Sequence, residues 1–95
     1  MEQDSADAFY ARLKEQLLED TTWPSNYLYK FIVPTDQEKI DSITRIFDNT
    51  GAVIDSKKSK KGTYTSVSIN VNLADPDAVI EKYKAVSEIE GVISL

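Results

Sequence analysis

The sequence predicts an α+β sandwich in which one helix precedes a β-α-β-β-α-β core. Three observations carry this. Residues 63–73 alternate strictly, with Val67, Ile69, Val71 and Leu73 on one face and Ser66, Ser68, Asn70 and Asn72 on the other, the pattern of a half-buried strand. Two stretches with apolar residues at helical spacing each follow a clear helix-start signal. A third such stretch, at the N-terminus, is set apart from the rest by its acidity and by a Trp-Pro step.

In chain order, Ala6, Phe9, Tyr10, Leu13, Leu17 and Leu18 recur at helical spacing, so a helix is expected over about 5–20, with Asp4 or Ser5 as its cap. It ends before Pro24, because the residue preceding a proline is pushed out of the α region. An isolated helix of this length is marginal in water, so its apolar stripe must be buried against something. YLYKFIVP, residues 27–34, is aromatic and β-branched and reads as a strand ended by Pro34. Thr35-Asp36-Gln37-Glu38 reads as a capping box, with Thr35 at the cap and Glu38 three residues on. The helix it opens carries Ile40, Ile43, Ile46 and Phe47 on one face and stops near Asn49-Thr50-Gly51. Ala52 to Asp55 opens the second strand, and Lys57-Lys58-Ser59-Lys60-Lys61-Gly62 is its end and a turn. After the alternating third strand, Asp75-Pro76 starts a helix with an acidic cap and proline in its first turn, followed by Val79, Ile80, Tyr83 and Val86. Gly91 precedes a short last strand, Val92 to Leu95.

Two right-handed β-α-β crossovers joined in this order give a ferredoxin-like βαββαβ sandwich with a four-stranded antiparallel sheet, strands one and three central and both core helices on one face. The chain divides into an N-terminal acidic amphipathic helix extension, residues 1–22, and a ferredoxin-like domain, residues 23–95. At 95 residues there is room for one domain.

Composition excludes several chemistries. With no Cys there is no disulfide framework, thiolate nucleophile or zinc cluster, and with no His no Ser-His dyad or imidazole ligand. No cofactor is expected. There is no G-x-S-x-G, phosphate loop or dinucleotide fingerprint, and Asp36, Glu38, Asp75 and Asp77 read as helix caps and first-turn acids. Trp23 and Tyr27 read as packing anchors. An enzyme is therefore not expected. The chain opens on acidic MEQDSADAFY, with no basic segment followed by an apolar one and no membrane-length apolar run. A cytoplasmic protein with no membrane partner is the expectation.

Two charge features stand out. Residues 1–22 hold six acids and two bases, while residues 23–95 are nearly balanced. Against them stands the turn with Lys57, Lys58, Lys60 and Lys61. Lysines there protect an edge strand from pairing with another sheet. Together with Ser59, Gly62 and free turn amides they are also suited to hold a phosphate or carboxylate. A third reading sets the acidic helix against the basic turn, within one chain or across a dimer.

The polar face of the third strand is the other candidate. Gly62 to Ala74 contains no charge. Small uncharged Ser66 and Ser68 suit close packing by the N-terminal helix, a second subunit or a ligand. Lys30 on the first strand joins this face if Tyr29, Phe31 and Val33 turn to the helices, and a lysine there wants an anionic partner. An RNA-recognition reading finds Lys61-Gly62 before the strand, but Thr63 and Thr65 fall where base-stacking aromatics belong and Tyr64 has the opposite parity. A formal charge of −5 adds to this, so nucleic acid is not an expected partner.

Trp23-Pro24, Tyr29-Lys30 and above all Ser59-x-Lys61-Gly62-x-Tyr64-x-Ser66-Val67-Ser68-Ile69 resemble the YbeD-like family of small uncharacterised bacterial proteins. The resemblance runs from Trp23 to Leu95. It implies a βαββαβ fold similar to the ACT domains that bind amino acids and regulate metabolic enzymes, but no known ligand. ACT domains usually bind near a glycine-containing turn after the first strand, and Val33-Pro34-Thr35-Asp36 has no glycine. The expectation is a non-enzymatic regulatory or interaction domain, with Lys30, Ser59, Lys61, Gly62, Tyr64, Ser66 and Ser68 as its ligand or partner surface. The partner is a small anionic metabolite or amino acid in a sensor, or a protein partner or second copy of the chain in a dimerisation module.

Overall fold

The long strands β1 (Ser25–Pro34) and β3 (Tyr64–Leu73) pair antiparallel over their whole length and form the centre of the sheet. The computed structural model describes residues 2–95, with side chains from residue 7 onward. Strand β2 (Val53–Lys58) flanks β3 and the two-residue β4 (Ile93–Ser94) flanks β1, giving the antiparallel order β2-β3-β1-β4. Helices α2 (Gln37–Ile46) and α3 (Pro76–Ser87) supply the crossovers, and α1 (Glu2–Asp20) precedes the core. This is the ferredoxin-like sandwich with an added N-terminal helix that the sequence predicts.

Alternation decides which face is covered. Tyr29, Phe31 and Val33 of β1 and Val67, Ile69 and Val71 of β3 are buried with Ile43 and Phe47 from the α2 region and Val79 and Val86 of α3. Each such side chain contributes roughly 1.5–3 kcal/mol by leaving water. Tyr29 is the centre of this layer. Its ring stacks on Phe31, meets Phe47, Tyr27 and Tyr83 edge-on, and its buried hydroxyl donates to the Val79 carbonyl at 2.9 Å. Lys82 ties the two core helices together by donating to the Ile46 carbonyl at the end of α2, 2.7 Å away.

Three local expectations are corrected. Asp36, not Thr35, caps α2, its carboxylate accepting from the Glu38 amide at 2.9 Å. Thr35 is still held by the sheet, since its amide donates to the Thr63 carbonyl and its hydroxyl meets that of Thr65 at 2.9 Å. The first helix begins at Glu2, so Asp4 and Ser5 lie within it and do not cap it. The last strand is shorter than Val92 to Leu95.

The position of α1, which the sequence leaves open, is set by the helical layer. It packs along α3, with Lys14 paired to Asp77 at 3.0 Å, Lys84 over the Tyr10 ring, and Leu17 and Trp23 against the core. The Trp23 indole donates to the Leu17 carbonyl at 3.1 Å, fixing the end of the helix to the helical layer. Phe9, Tyr10 and Leu13 line a groove with Ser94 and Leu95, at the β4 edge. So α1 does not cover the polar sheet face. Nor does it meet the basic turn within the chain, because that turn is at the opposite, β2 edge.

Candidate functional site on the open sheet face

The β2–β3 hairpin is closed by Ser59. Its carbonyl accepts from the Gly62 amide at 2.9 Å, its amide donates to the Tyr64 carbonyl at 2.8 Å, and its hydroxyl oxygen accepts from the Tyr64 amide at 3.2 Å. Gly62 has φ 74°, the left-handed conformation a side chain resists. The amides of Ser59, Gly62 and Tyr64 are thus spent within the turn and are not offered to an anion. The side chains around the turn are the other part of the site.

The register arranges those side chains in rows across the face opposite the helices. Lys57, Ser66 and Ile32 form one row, Asp55, Ser68 and Lys30 the next, and Val53, Asn70 and Leu28 a third. Lys30 therefore does lie opposite Tyr29, Phe31 and Val33, and Leu28 and Ile32 share its face. Tyr64 stands beyond the first row, across from Pro34, and is half-exposed. Asn72 donates to the side-chain oxygen of Asn26 at 3.0 Å at the far end.

At the hairpin these rows open into a cleft of about 320 Å³, lined by Ile32, Lys57, Lys58, Ser59, Lys60, Tyr64 and Ser66. Ser59, Tyr64 and Ser66 of the sequence-derived surface meet here. Lys61 and Gly62 sit in the turn outside the lining, and Lys30 and Ser68 one row along the sheet. Sequence reasoning missed Ile32, and it put Lys61 ahead of Lys57 and Lys60. The register was the usable signal: counting outward from the turn pairs 57 with 66 and 55 with 68. Among the described residues no carboxylate lines the cleft, so its field is positive; the Ser59 hydroxyl and the Tyr64 phenol add neutral donors, while the Ser66 hydroxyl donates to the Lys57 carbonyl at 3.3 Å.

The RNA-type pattern does not form a stacking platform. Thr65 is buried on the helix face and bonded to Thr35, leaving Tyr64 as the exposed aromatic of β3. Among the described residues no group of three acids, His or Cys is placed to hold a metal ion. Tyr29 and Tyr83 have their hydroxyl pKa values pushed well up, first by burial and then by neighbouring tyrosines, so both hold their protons; Tyr29 donates its own to Val79, and the Tyr83 hydroxyl shares a hydrogen bond with that of Tyr27 at 2.8 Å.

The family model described as protein of unknown function (DUF493) matches residues 19–95. The chain belongs to this family. It is the family of the YbeD-like proteins that the Ser59–Ile69 pattern resembles. The DUF493 match takes in every strand, α2 and α3, and stops short of most of α1. No curated protein and no solved structure matches the chain. Among the described residues no helix is long and apolar enough to cross a membrane.

Proposed function

We propose that this DUF493 domain is a non-enzymatic regulatory domain that takes a small anionic molecule into the hairpin cleft of its open sheet face. One observation carries the reading. Lys57, Lys58 and Lys60 share a single opening with the hydroxyls of Ser59, Ser66 and Tyr64 and the apolar side chain of Ile32, with no acid among them. Such a lining suits a carboxylate or phosphate attached to a short aliphatic or planar body, whose anionic end meets the lysines and whose body lies on Ile32 and Tyr64. The likeness of the fold to ACT domains supports a sensing role, though at a different place: the hairpin and not the turn after β1. The reading sets the domain in the bacterial cytoplasm, in keeping with a cysteine-free composition.

The affinity of such a site is modest. Exposed lysines are hydrated and mobile, and each solvated ion pair contributes about 0–1 kcal/mol. Binding near the millimolar range, about −4 kcal/mol, is the scale expected of a metabolite sensor built this way. The test is an amide-resolved NMR titration with pyrophosphate and with acidic amino acids, repeated on Lys57→Ala/Lys60→Ala. Saturable shifts confined to Ser59, Tyr64 and Ser66, and lost in the variant, support the reading. Silence at millimolar ligand, or equal shifts at lysines over the whole surface, overturns it.

A further inference from the structure

We propose that the open sheet face is a two-fold self-association surface in which Lys30 of one copy pairs with Asp55 of a second. The argument starts from the rows. Lys30, Ser68 and Asp55 are neighbours on β1, β3 and β2, and so are Leu28, Asn70 and Val53. Consider two copies placed face to face with the two-fold axis between the sheets and parallel to β3. The rotation keeps each row level and exchanges β1 with β2. Lys30 then faces Asp55 of the other copy, and Leu28 faces Val53. Ser66, Ser68 and Asn70 each face themselves.

In the two rows through Ser68 and Asn70 the pairing is complementary in charge, polarity and size, while in the row through Ser66 the aliphatic stem of Lys57 comes over Ile32 with its ammonium left to water. Each ion pair and each apolar pair is made twice by symmetry, as an isologous interface requires. Leu28 and Val53 are 50% and 64% exposed in the single chain, so both have apolar area to lose. The centre line is made of serines and an asparagine with no charge, which lets two sheets approach to the roughly 10 Å of a packed sandwich. Asn70 facing Asn70 supplies both donors and acceptors.

The other two-fold arrangements fit worse. An axis across the strands at the Ser68 row puts Lys30 on Lys30 and Asp55 on Asp55, two like-charge contacts. An axis between β3 and β1 sets Lys30 over Ser68 and carries Asp55 out beyond β1 to the β4 side. Only the axis along β3 gives both charges a partner. This also gives a use for the features the hairpin cleft leaves aside: Lys30, Ser68, and the exposed Leu28 and Val53. It does not rest on the ligand reading and competes with it, since the dimer covers the row of Lys57, Ser66 and Ile32 that lines the cleft.

The test is sedimentation equilibrium of the full chain and of Lys30→Glu, Asp55→Lys and the double variant, with far-UV circular dichroism to show that each is folded. Lys30 and Asp55 are exposed, so folding is expected to survive their substitution. The wild type is expected to dimerise, each single variant to weaken the dimer at least tenfold, and the double variant to recover most of that loss because the exchanged charges still face one another. Ser68→Arg, at the centre line, is expected to abolish the dimer. A wild type that stays monomeric at millimolar concentration overturns the proposal. So do single variants that dimerise as well as wild type, or a double variant no better than the singles.

Discussion

Lys30 and Asp55 flank Ser68 in one row of the open sheet, each a strand away from it. With neighbouring strands about 4.8 Å apart, their backbones are about 10 Å from each other. Among the described residues neither forms an ion pair within the chain, where the pair found is Lys14 with Asp77. Both are exposed, so neither is held in place by the fold that carries it.

Lys30→Ala and Asp55→Ala are therefore expected to change the stability of the monomer by no more than about 0.5 kcal/mol, the range of surface substitutions that touch no special feature. Urea denaturation at a concentration too low for association checks this. A cost above about 2 kcal/mol for either would mean that the row is a structural network inside one chain, and not a set of groups left for something outside it.

Tyr29 makes a contrasting case, because its hydroxyl is buried and bonded to the Val79 carbonyl. Tyr29→Phe keeps the ring contacts and loses one hydrogen bond, an expected cost of about 0.5–1.5 kcal/mol. The phenol also sets an alkaline limit. Its pKa in the folded chain is raised by burial, as is that of Tyr83, so the unfolded chain releases these protons first. Stability is full below the ordinary tyrosine value of 10.0 and falls as pH rises through and beyond it, since the folded state then binds more protons than the unfolded. Urea midpoints from pH 8 to 11 are expected to be flat and then to drop. The drop should be shallower in Tyr29→Phe, and an equal drop in both would assign it to other groups.

The elements whose burial pattern has a single period were legible in the sequence. The alternation of Val67, Ile69, Val71 and Leu73 against Ser66, Ser68, Asn70 and Asn72 fixed β3 and its two faces, and Asp75-Pro76 fixed the start of α3. The cap of α2 was not legible to the residue. Thr35 and Asp36 are both good caps, and the choice fell to Asp36 because β3 already held Thr35. The docking of α1 was illegible for a different reason. Its apolar stripe says that it must be buried but not where. The deciding contacts, Trp23 with Leu17 and Lys14 with Asp77, depend on where the chain emerges beside α3. Half of the candidate site was visible as residue types. The missing half, Ile32 in the cleft and Asp55 across from Lys30, required the register that Gly62 and Ser59 set at the turn.

That turn and the last loop give a final contrast between two glycines. Gly62 and Gly91 have φ of 74° and 84°, so alanine at either meets the same backbone penalty, about 1–2 kcal/mol. Their surroundings differ. A Cβ at Gly62 meets nothing within 4 Å, whereas one at Gly91 comes to 3.1 Å from Cγ of Pro34 and 3.2 Å from its Cδ. The Pro34 ring is rigid and ends β1, so it gives little way, and crowding of this kind costs about 1–3 kcal/mol more. Gly91→Ala is therefore expected to lower the urea midpoint further than Gly62→Ala. Gly62→Asn is expected to cost less than Gly62→Ala, because asparagine tolerates the left-handed region. If Gly62→Ala proved the costlier of the two alanines, the crowding at Pro34 would be relieved by a shift of the last loop, and the difference in free space around the two glycines would not set the cost.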